Sequence, residues 1–285
     1  MTFHEEGLTG ARGWTSLASD RDGNVHATWL DGRHAQHLHG AKGTAGTAPR
    51  MRQDIFHAVW QPDGSRVETQ VAADVCFCCK TSVAPAPDGT TYAAWRHIYP
   101  TNLRDMAVAR SIDGGRTFSA PVRVSEDGWQ IDGCPEDGPS IGVGTNGVLH
   151  ITWPTVIRSS VDRKAVFYSY STDGGRTFAP RERVDGDQGT RSAAHPQLAV
   201  SGADVAIVWD ETATEGHRVR VRAITSASTA EAGTPRLGPS VTLEDVDSVV
   251  SPAIAPLPDG FVVAWTSGSR GTSAVRVDRI SRPVR

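Results

Sequence analysis

The chain is short of the features that mark several function classes. No run approaches the roughly eighteen apolar residues of a bilayer span, and no convincing amphipathic helical stretch is present. Charge of one sign is missing as well: 29 Lys+Arg stand against 32 Asp+Glu, a net of -3. That balance argues against nucleic acid or an anionic membrane as the main partner. The opening residues, Met1-Thr2-Phe3-His4-Glu5-Glu6, lack the basic and apolar regions of a secretory leader. A cytoplasmic location is therefore expected unless an upstream segment is missing, in which case export (periplasmic or extracellular) is expected.

What the chain does have is turn chemistry. Its 285 residues include 29 Gly and 17 Pro, a composition that fits a turn-rich β protein able to bury a large core. The stretches 40–49 and 226–239 read as exposed loops. Five segments share one pattern: a polar or Gly-rich opening, a short apolar strand, a Gly turn, then an apolar strand ending in Trp. The terminal residues are Trp29, Trp95, Trp153, Trp209 and Trp265, separated by 66, 58, 56 and 56 positions. Such a period is that of propeller blades with some extended loops, and the five Trp are expected to pack between blades. His26 and His150 each precede their Trp by three residues, and packing is expected of them too.

Two octapeptides, Ser111-Ile-Asp113-Gly-Gly-Arg-Thr-Phe118 and Ser171-Thr-Asp173-Gly-Gly-Arg-Thr-Phe178, fit S-x-D-x-G-x-T-F, and each is closely followed by Pro. The Asp can accept from backbone N–H groups of its own turn, and the Gly pair permits positive φ. This pattern resembles the Asp box, or BNR repeat, of sialidases and their relatives. The resemblance implies an all-β fold, a β-propeller of sialidase-like type with five recognisable four-stranded blades in a five- or six-bladed ring. The blades would run over 8–74, 75–130, 131–190, 191–246 and 247–285 within one domain. Trp60-Gln61-Pro62-Asp63-Gly64 looks like a decayed box. The last blade shows three strands, so Met1–Gly7 would supply its fourth, or an upstream blade is missing.

In such a propeller the openings of the first strands and the second-to-third-strand loops lie on one face, at the mouth of the central channel. All four cysteines fall at two of those openings: Cys76, Cys78 and Cys79 beside Lys80, and Cys134 beside Glu136 and Asp137. His195 falls at the next. Three readings stand open for this set. Closely spaced thiolates with one His suit a metal centre, with Cys76, Cys78, Cys79, Cys134 and His195 as ligands and copper favoured over zinc on softness. A Cys76–Cys134 disulfide would bridge blades. A reactive thiol or vicinal Cys78–Cys79 disulfide is the third, with Lys80 lowering a thiol pKa.

The loops of the same face carry Arg33, His34, His37 and His39, then Arg96, His97, Tyr99, Arg104 and Asp105, and later His217 and Arg218. With Asp137, the set His97, Tyr99, Arg96, Arg104 and Asp105 is the candidate catalytic wall around the metal, for a metal-dependent oxidoreductase acting on a small molecule, glycan or peptide. The resemblance itself implies something else, an exo-α-sialidase-type hydrolase. That chemistry uses an arginine triad for the substrate carboxylate, a Tyr with a partner Glu as nucleophile and an Asp as acid/base. The Arg-Ile-Pro motif of that family is absent, and only Arg191 loosely opens a first strand. A non-catalytic glycan- or protein-binding propeller is the further alternative.

Overall fold

The computed structural model describes residues 10–34, 52–130, 136–158, 162–186, 191–214, 216–225, 234–246, 249–268 and 271–281. His37, His39, Cys134 and Met1–Gly7, named above, lie outside the described residues. Two compact units divide the chain at Gly138/Pro139.

The first unit holds two antiparallel meanders. One comprises β1 (Arg12–Ser19), β2 (Val25–Asp31), β3 (Arg52–Trp60) and β4 (Arg66–Cys76); the other β5 (Ser82–Pro85), β6 (Thr91–Arg96), β7 (Met106–Ser111) and β8 (Val122–Arg123). Second strands such as β6 are buried on both faces, which accounts for their near-continuous apolar composition. Leu30, Ile55, Val71 and Val75 from the first sheet form one core with Ala93, Trp95, Ala107 and Ala109 from the second.

The second unit holds three sheets. They are β9 (Ser140–Val143) to β12 (Glu182–Arg183), with β10 (Leu149–Ile157) and β11 (Arg163–Ser171) between; β13 (Ser192–Ser201), β14 (Asp204–Ala213), β15 (Gly216–Thr225) and β16 (Arg236–Val246); and the three-stranded β17 (Val249–Leu257), β18 (Gly260–Ser267) and β19 (Ala274–Ser281). Residues 236–239, expected in a loop, begin β16. Trp209 centres a core shared by the first two of these sheets, with Val166, Tyr168, Val184 and Leu198 around it.

Both octapeptides form third-to-fourth-strand turns, β7–β8 and β11–β12. In each, the Ser hydroxyl accepts from the second Gly N–H at 2.9 Å, and one Asp oxygen accepts from the Thr hydroxyl at 2.6 Å. Gly115 has φ +82°, and a Cβ there would lie 2.5 Å from the His57 ring. Phe118 meets the same ring edge-on. Gln61–Ser65 closes the equivalent β3–β4 turn, with Asp63 accepting from Ser65 N–H.

The five Trp are all buried, and four of them also donate their indole N–H, Trp265 to the Glu244 carboxylate and three to an acceptor on their own strand. Trp29 donates its indole N–H to Asp31, Trp95 to His97 and Trp209 to Glu211, at 2.9, 3.2 and 2.9 Å. A strand turns residues i and i+2 to one face, so the acceptor two positions on meets the indole. His26 and His150 are buried and bonded within their own sheets, to His57 at 3.2 Å and to Tyr168 at 2.7 Å.

Candidate functional site

At one end of the β5–β8 sheet the chain arrives from β4, crosses through Cys76–Lys80, and later loops from β6 to β7. Backbone bonds fold these segments together: His97 N–H donates to the Asp105 carbonyl at 2.9 Å, and Arg104 N–H to the Trp129 carbonyl at 2.8 Å. Asp74, Thr101, Asn102 and Glu136 all hold positive φ here, at 57°, 60°, 62° and 59°. For non-glycine residues that conformation costs of order ~1 kcal/mol each, so surrounding contacts must impose it.

Three of the cysteines meet at this end and are buried. Cys76 and Cys79 are free thiols whose sulfurs lie 3.2 Å apart, and one sulfur from each of Cys76, Cys78 and Cys79 falls within 4.8 Å of the others. Cys78 is already in a disulfide. Two expectations are thereby corrected. Cys76 is not bridged to Cys134, and Cys78 and Cys79 form no vicinal disulfide, because Cys76 and Cys79 both keep their thiols.

Two buried arginines face the sulfurs. Arg104 donates to Cys76 Sγ at 3.4 Å. Arg96 donates to the Arg104 and Asp137 carbonyls at 3.0 and 3.3 Å and lies 4.5 Å over the Trp129 ring. The hydrogen bond from Cys79 and the positive charge of Arg104 hold the Cys76 thiol down at about 6, although burial opposes it. Burial, followed by the bond to Cys76, pushes Cys79 well up.

The donor set does not fit copper or zinc. A disulfide sulfur offers no thiolate, and two guanidinium groups repel a cation where they favour a lone anionic sulfur. Of the expected ligands, Cys134 lies outside the described residues. His195 belongs to the second unit, where its Nδ1 is bound to Asp210 at 2.7 Å.

The six residues expected in the catalytic wall do assemble, but at different depths. Arg96, Arg104, Asp105 and Asp137 are buried, while His97 and Tyr99 are half-buried. Asp105 pairs with Arg123, whose Nε donates at 2.9 Å. The Arg123 guanidinium also lies 4.9 Å over the Tyr99 ring, and the His97 ring meets Tyr99 edge-on at 4.7 Å. His97 Nδ1 accepts from the Trp95 indole, so the neutral ring carries its proton on Nε2. Burial lowers the His97 pKa despite the nearby Asp74 charge. It raises Tyr99 to about 12 and lifts Asp105 against the pull of Arg123. The Tyr99 hydroxyl and Asp105 Oδ1 are buried atoms with no hydrogen-bond partner among the described residues.

The other loop residues are engaged elsewhere. Arg33 bridges Asp31 and Glu68 at 2.6 and 2.7 Å and covers the Phe56 ring, and His34 binds Asp54 at 2.6 Å. In the second unit His217 meets Thr212 at 3.2 Å, Arg191 donates to the Gly216 carbonyl, and Arg218 lies in β15.

The sequence reading missed Arg123, though a signal existed. Both octapeptides are followed by Pro and then Arg-Val, and Arg183 after the second is also ion-paired, with Asp185 two residues on at 2.8 Å. It also missed the acceptors Asp31 and Glu211, for which the Trp-x-Asp and Trp-x-Glu spacing was the signal. The bulges at Trp14, His195 and Ser251, each a positive-φ residue in the first strand of its sheet, left no sequence mark.

Consecutive antiparallel meanders with this strand order are propeller blades, and the fold is an all-β propeller. No protein-family model and no curated protein sequence matches the chain. Solved structures do. A protein of unknown function from Dyadobacter fermentans is 13% identical, with a TM-score of 0.51 over 96% of both chains. The Hadza microbial sialidase Hz136 is 14% identical, with a TM-score of 0.52 over 94% of this chain and 56% of its own. The polysaccharide lyase Uly1 is 12% identical, with a TM-score of 0.53 over 97% of this chain and 59% of its own. The chain thus spans little more than half the length of the latter two, and the likeness is one of fold.

Proposed function

We propose that the chain acts on a glycan at the His97–Tyr99 end of the β5–β8 sheet, as a glycoside hydrolase with Tyr99 as the reacting hydroxyl. The observation that carries the reading is the Tyr99 hydroxyl: it is buried, has no hydrogen-bond partner among the described residues, and belongs to a ring that the Arg123 guanidinium covers at 4.9 Å, with the Asp105 charge nearby. An unpaired buried hydroxyl is costly, on the order of 1–3 kcal/mol, and a substrate oxygen would relieve that cost. A phenol at about 12 is neutral at neutral pH, so it needs a base before it can attack an anomeric carbon. Asp105 Oδ1 is that base: it takes the phenolic proton as the glycosyl–oxygen bond to Tyr99 forms and the leaving group departs. Water then cleaves the glycosyl–tyrosine bond and Tyr99 recovers its proton. Arg123 stabilises the phenolate and keeps Asp105 in place, and His97 Nε2–H donates to a substrate hydroxyl. The fold neighbours that are sialidases and polysaccharide lyases by name support a glycan as the substrate class.

A binding module without turnover is the second reading, favoured by the depth at which Asp105 lies. A panel of aryl glycosides and oligosaccharides separates the two. Turnover by the wild type is expected to fall by ~10³-fold in Tyr99→Phe, with binding kept. Tyr99→Phe hydrolysing at the wild-type rate would overturn the tyrosine chemistry, and glycan binding without any hydrolysis would leave the module.

A further inference from the structure

The third strand of the β13–β16 sheet carries a charge pattern that the chemistry just proposed does not use. Residues 217–223 read His-Arg-Val-Arg-Val-Arg-Ala, and a strand turns alternate residues to alternate faces. Val219 and Val221 are buried in cores shared with the β17–β19 sheet, which leaves Arg218, Arg220 and Arg222 side by side on the other face. Successive residues of such a row stand about 7 Å apart, so their charges repel unless acids stand beside them.

The strand register supplies one acid to this row. Glu211 of β14 lies opposite Arg218, whereas Arg220 is paired with Trp209 and Thr242, and Arg222 with Ile207 and Ser240. Glu211 is buried, accepts from the Trp209 indole with one oxygen, and stands 3.7 Å from Arg220 with the other. The second carboxylate whose charge reaches Arg222 is Asp185, and it already accepts from the Arg183 guanidinium and from Val166 N–H. Arg222 itself makes no hydrogen bond or ion pair among the described residues, and its Nε is a buried atom without a partner. Arg220 Nε is in the same state, although Arg220 donates to the Ser240 hydroxyl. Burial, then the charge of Arg220, pulls the Arg222 pKa down against the opposing charges of Asp185 and Glu211. One half-buried guanidinium is thus left over.

We propose that Arg220, Arg222 and the Ser240 hydroxyl form a binding site for a tetrahedral oxyanion of the phosphate or sulfate type. A planar guanidinium presents paired N–H donors that match such an anion. Arg222 commits none of its donors, and Ser240, which accepts from Arg220, keeps its own O–H to donate. A dianion shared by the two arginines turns their mutual repulsion into attraction for a common partner. Neither arginine opens a first strand, so the site is distinct from the carboxylate-binding triad that the resemblance to sialidases implies. It belongs to the second unit, whereas Tyr99 belongs to the first, and it does not depend on the glycan reading.

The test is thermal melting of the full chain in a buffer free of oxyanions, then with sodium sulfate or sodium phosphate added. Sodium chloride holds the ionic strength constant throughout. A saturable rise in melting temperature is expected, about 2 °C once the anion stands at roughly ten times its dissociation constant. Arg222→Gln should lose that rise, while the general salting effect of the anion, which does not saturate, stays common to both proteins. The same variant separates binding from scaffolding. Without oxyanion it should melt at or above the wild-type temperature, because it removes a charge that Arg220 repels. A fall of several degrees would show that Arg222 is already compensated and would overturn the site. Calorimetric titration with inorganic phosphate and with glucose 6-phosphate then identifies the source. Tighter binding of the inorganic ion marks a free anion, and tighter binding of the ester marks the end group of a larger molecule. An identical, unsaturating response of wild type and Arg222→Gln to both anions would overturn the proposal.

Discussion

The two ends of the β5–β8 sheet are built on opposite plans. At the turn end, Ser111–Phe118 bonds its Ser and Asp side chains within eight consecutive residues, and the second unit repeats those Ser and Asp bonds in Ser171–Phe178. At the other end, Cys76, Arg96, Arg104, Asp105 and Arg123 come from three separate stretches and are mostly buried, and the Tyr99 hydroxyl and Asp105 Oδ1 beside them have no hydrogen-bond partner among the described residues. A self-contained turn can be copied wherever a hairpin closes. A nest assembled from distant residues cannot be copied, and that irregularity is where ligand chemistry has room to exist.

The largest effect that would sharpen this contrast is Arg96→Ala. Arg96 is 1% exposed and ties the Arg104 and Asp137 carbonyls to the Trp129 ring. Its loss should cost about 3 kcal/mol of unfolding free energy in a urea titration, from two orphaned buried carbonyls and the lost packing. A cost below about 1 kcal/mol would mean that this end is as self-sufficient as the other.

The next effect comes from the one buried titratable group that the turn touches. Burial, helped by the neighbouring His26, depresses the His57 pKa to about 3 from an unfolded value of 6.5. The groups around it are His26, itself within 3.3 Å of Asp20, and Gly115 and Phe118 of the turn. Below the unfolded pKa the unfolded chain binds a proton that the folded chain refuses, so stability rises with pH from about 3 to 6.5. The loss on going from neutral pH to about 5 is roughly 2 kcal/mol for this group. His57→Gln should flatten that part of the stability profile; an unchanged slope would place the titration elsewhere, with His150 (held at about 4 by burial) the next group to remove.

The smallest effect is at the turn itself. Bonds from Thr117, then from Ser111, hold the exposed Asp113 carboxyl at about 2. Its contribution is present above the ordinary carboxylate pKa and is lost as pH falls through the folded value. Asp113→Asn should therefore lower the melting temperature slightly at neutral pH and not at all at about pH 2. A large loss would show the turn to be more than a local clasp.

The difference between the ends also explains what the sequence could reveal. Short-range chemistry was legible: the Ser, Asp and Gly pairs of the octapeptides lie within one turn, and the Trp spacing marks the second strand of each sheet. The site was legible only in outline. Residues 96–105 sit in one loop and were found together, whereas Arg123 comes from the far side of a hairpin and its pairing with Asp105 depends on register. The state of the cysteines was not legible, because C-x-C-C spacing is compatible with a metal, a bridge or free thiols. Which sulfur is oxidised depends on the separation of side chains from segments far apart in the chain. His195 shows the same limit: proximity to an opening in sequence did not reveal that its ring belongs to Asp210.

One further property follows from β19. Among the described residues it is the outermost of the three strands of its sheet, and Val275 and Val277 are 71% and 64% exposed on it. An uncovered edge strand of this kind would invite another chain to pair along its amide and carbonyl groups, which is how sheets polymerise. Between and beside these valines stand Arg276, Asp278 and Arg279, whose charges would be forced against their own copies in an in-register stack. Wherever that edge is open, the strand carries its own deterrent to fibril growth, through charge repulsion between molecules that have yet to meet.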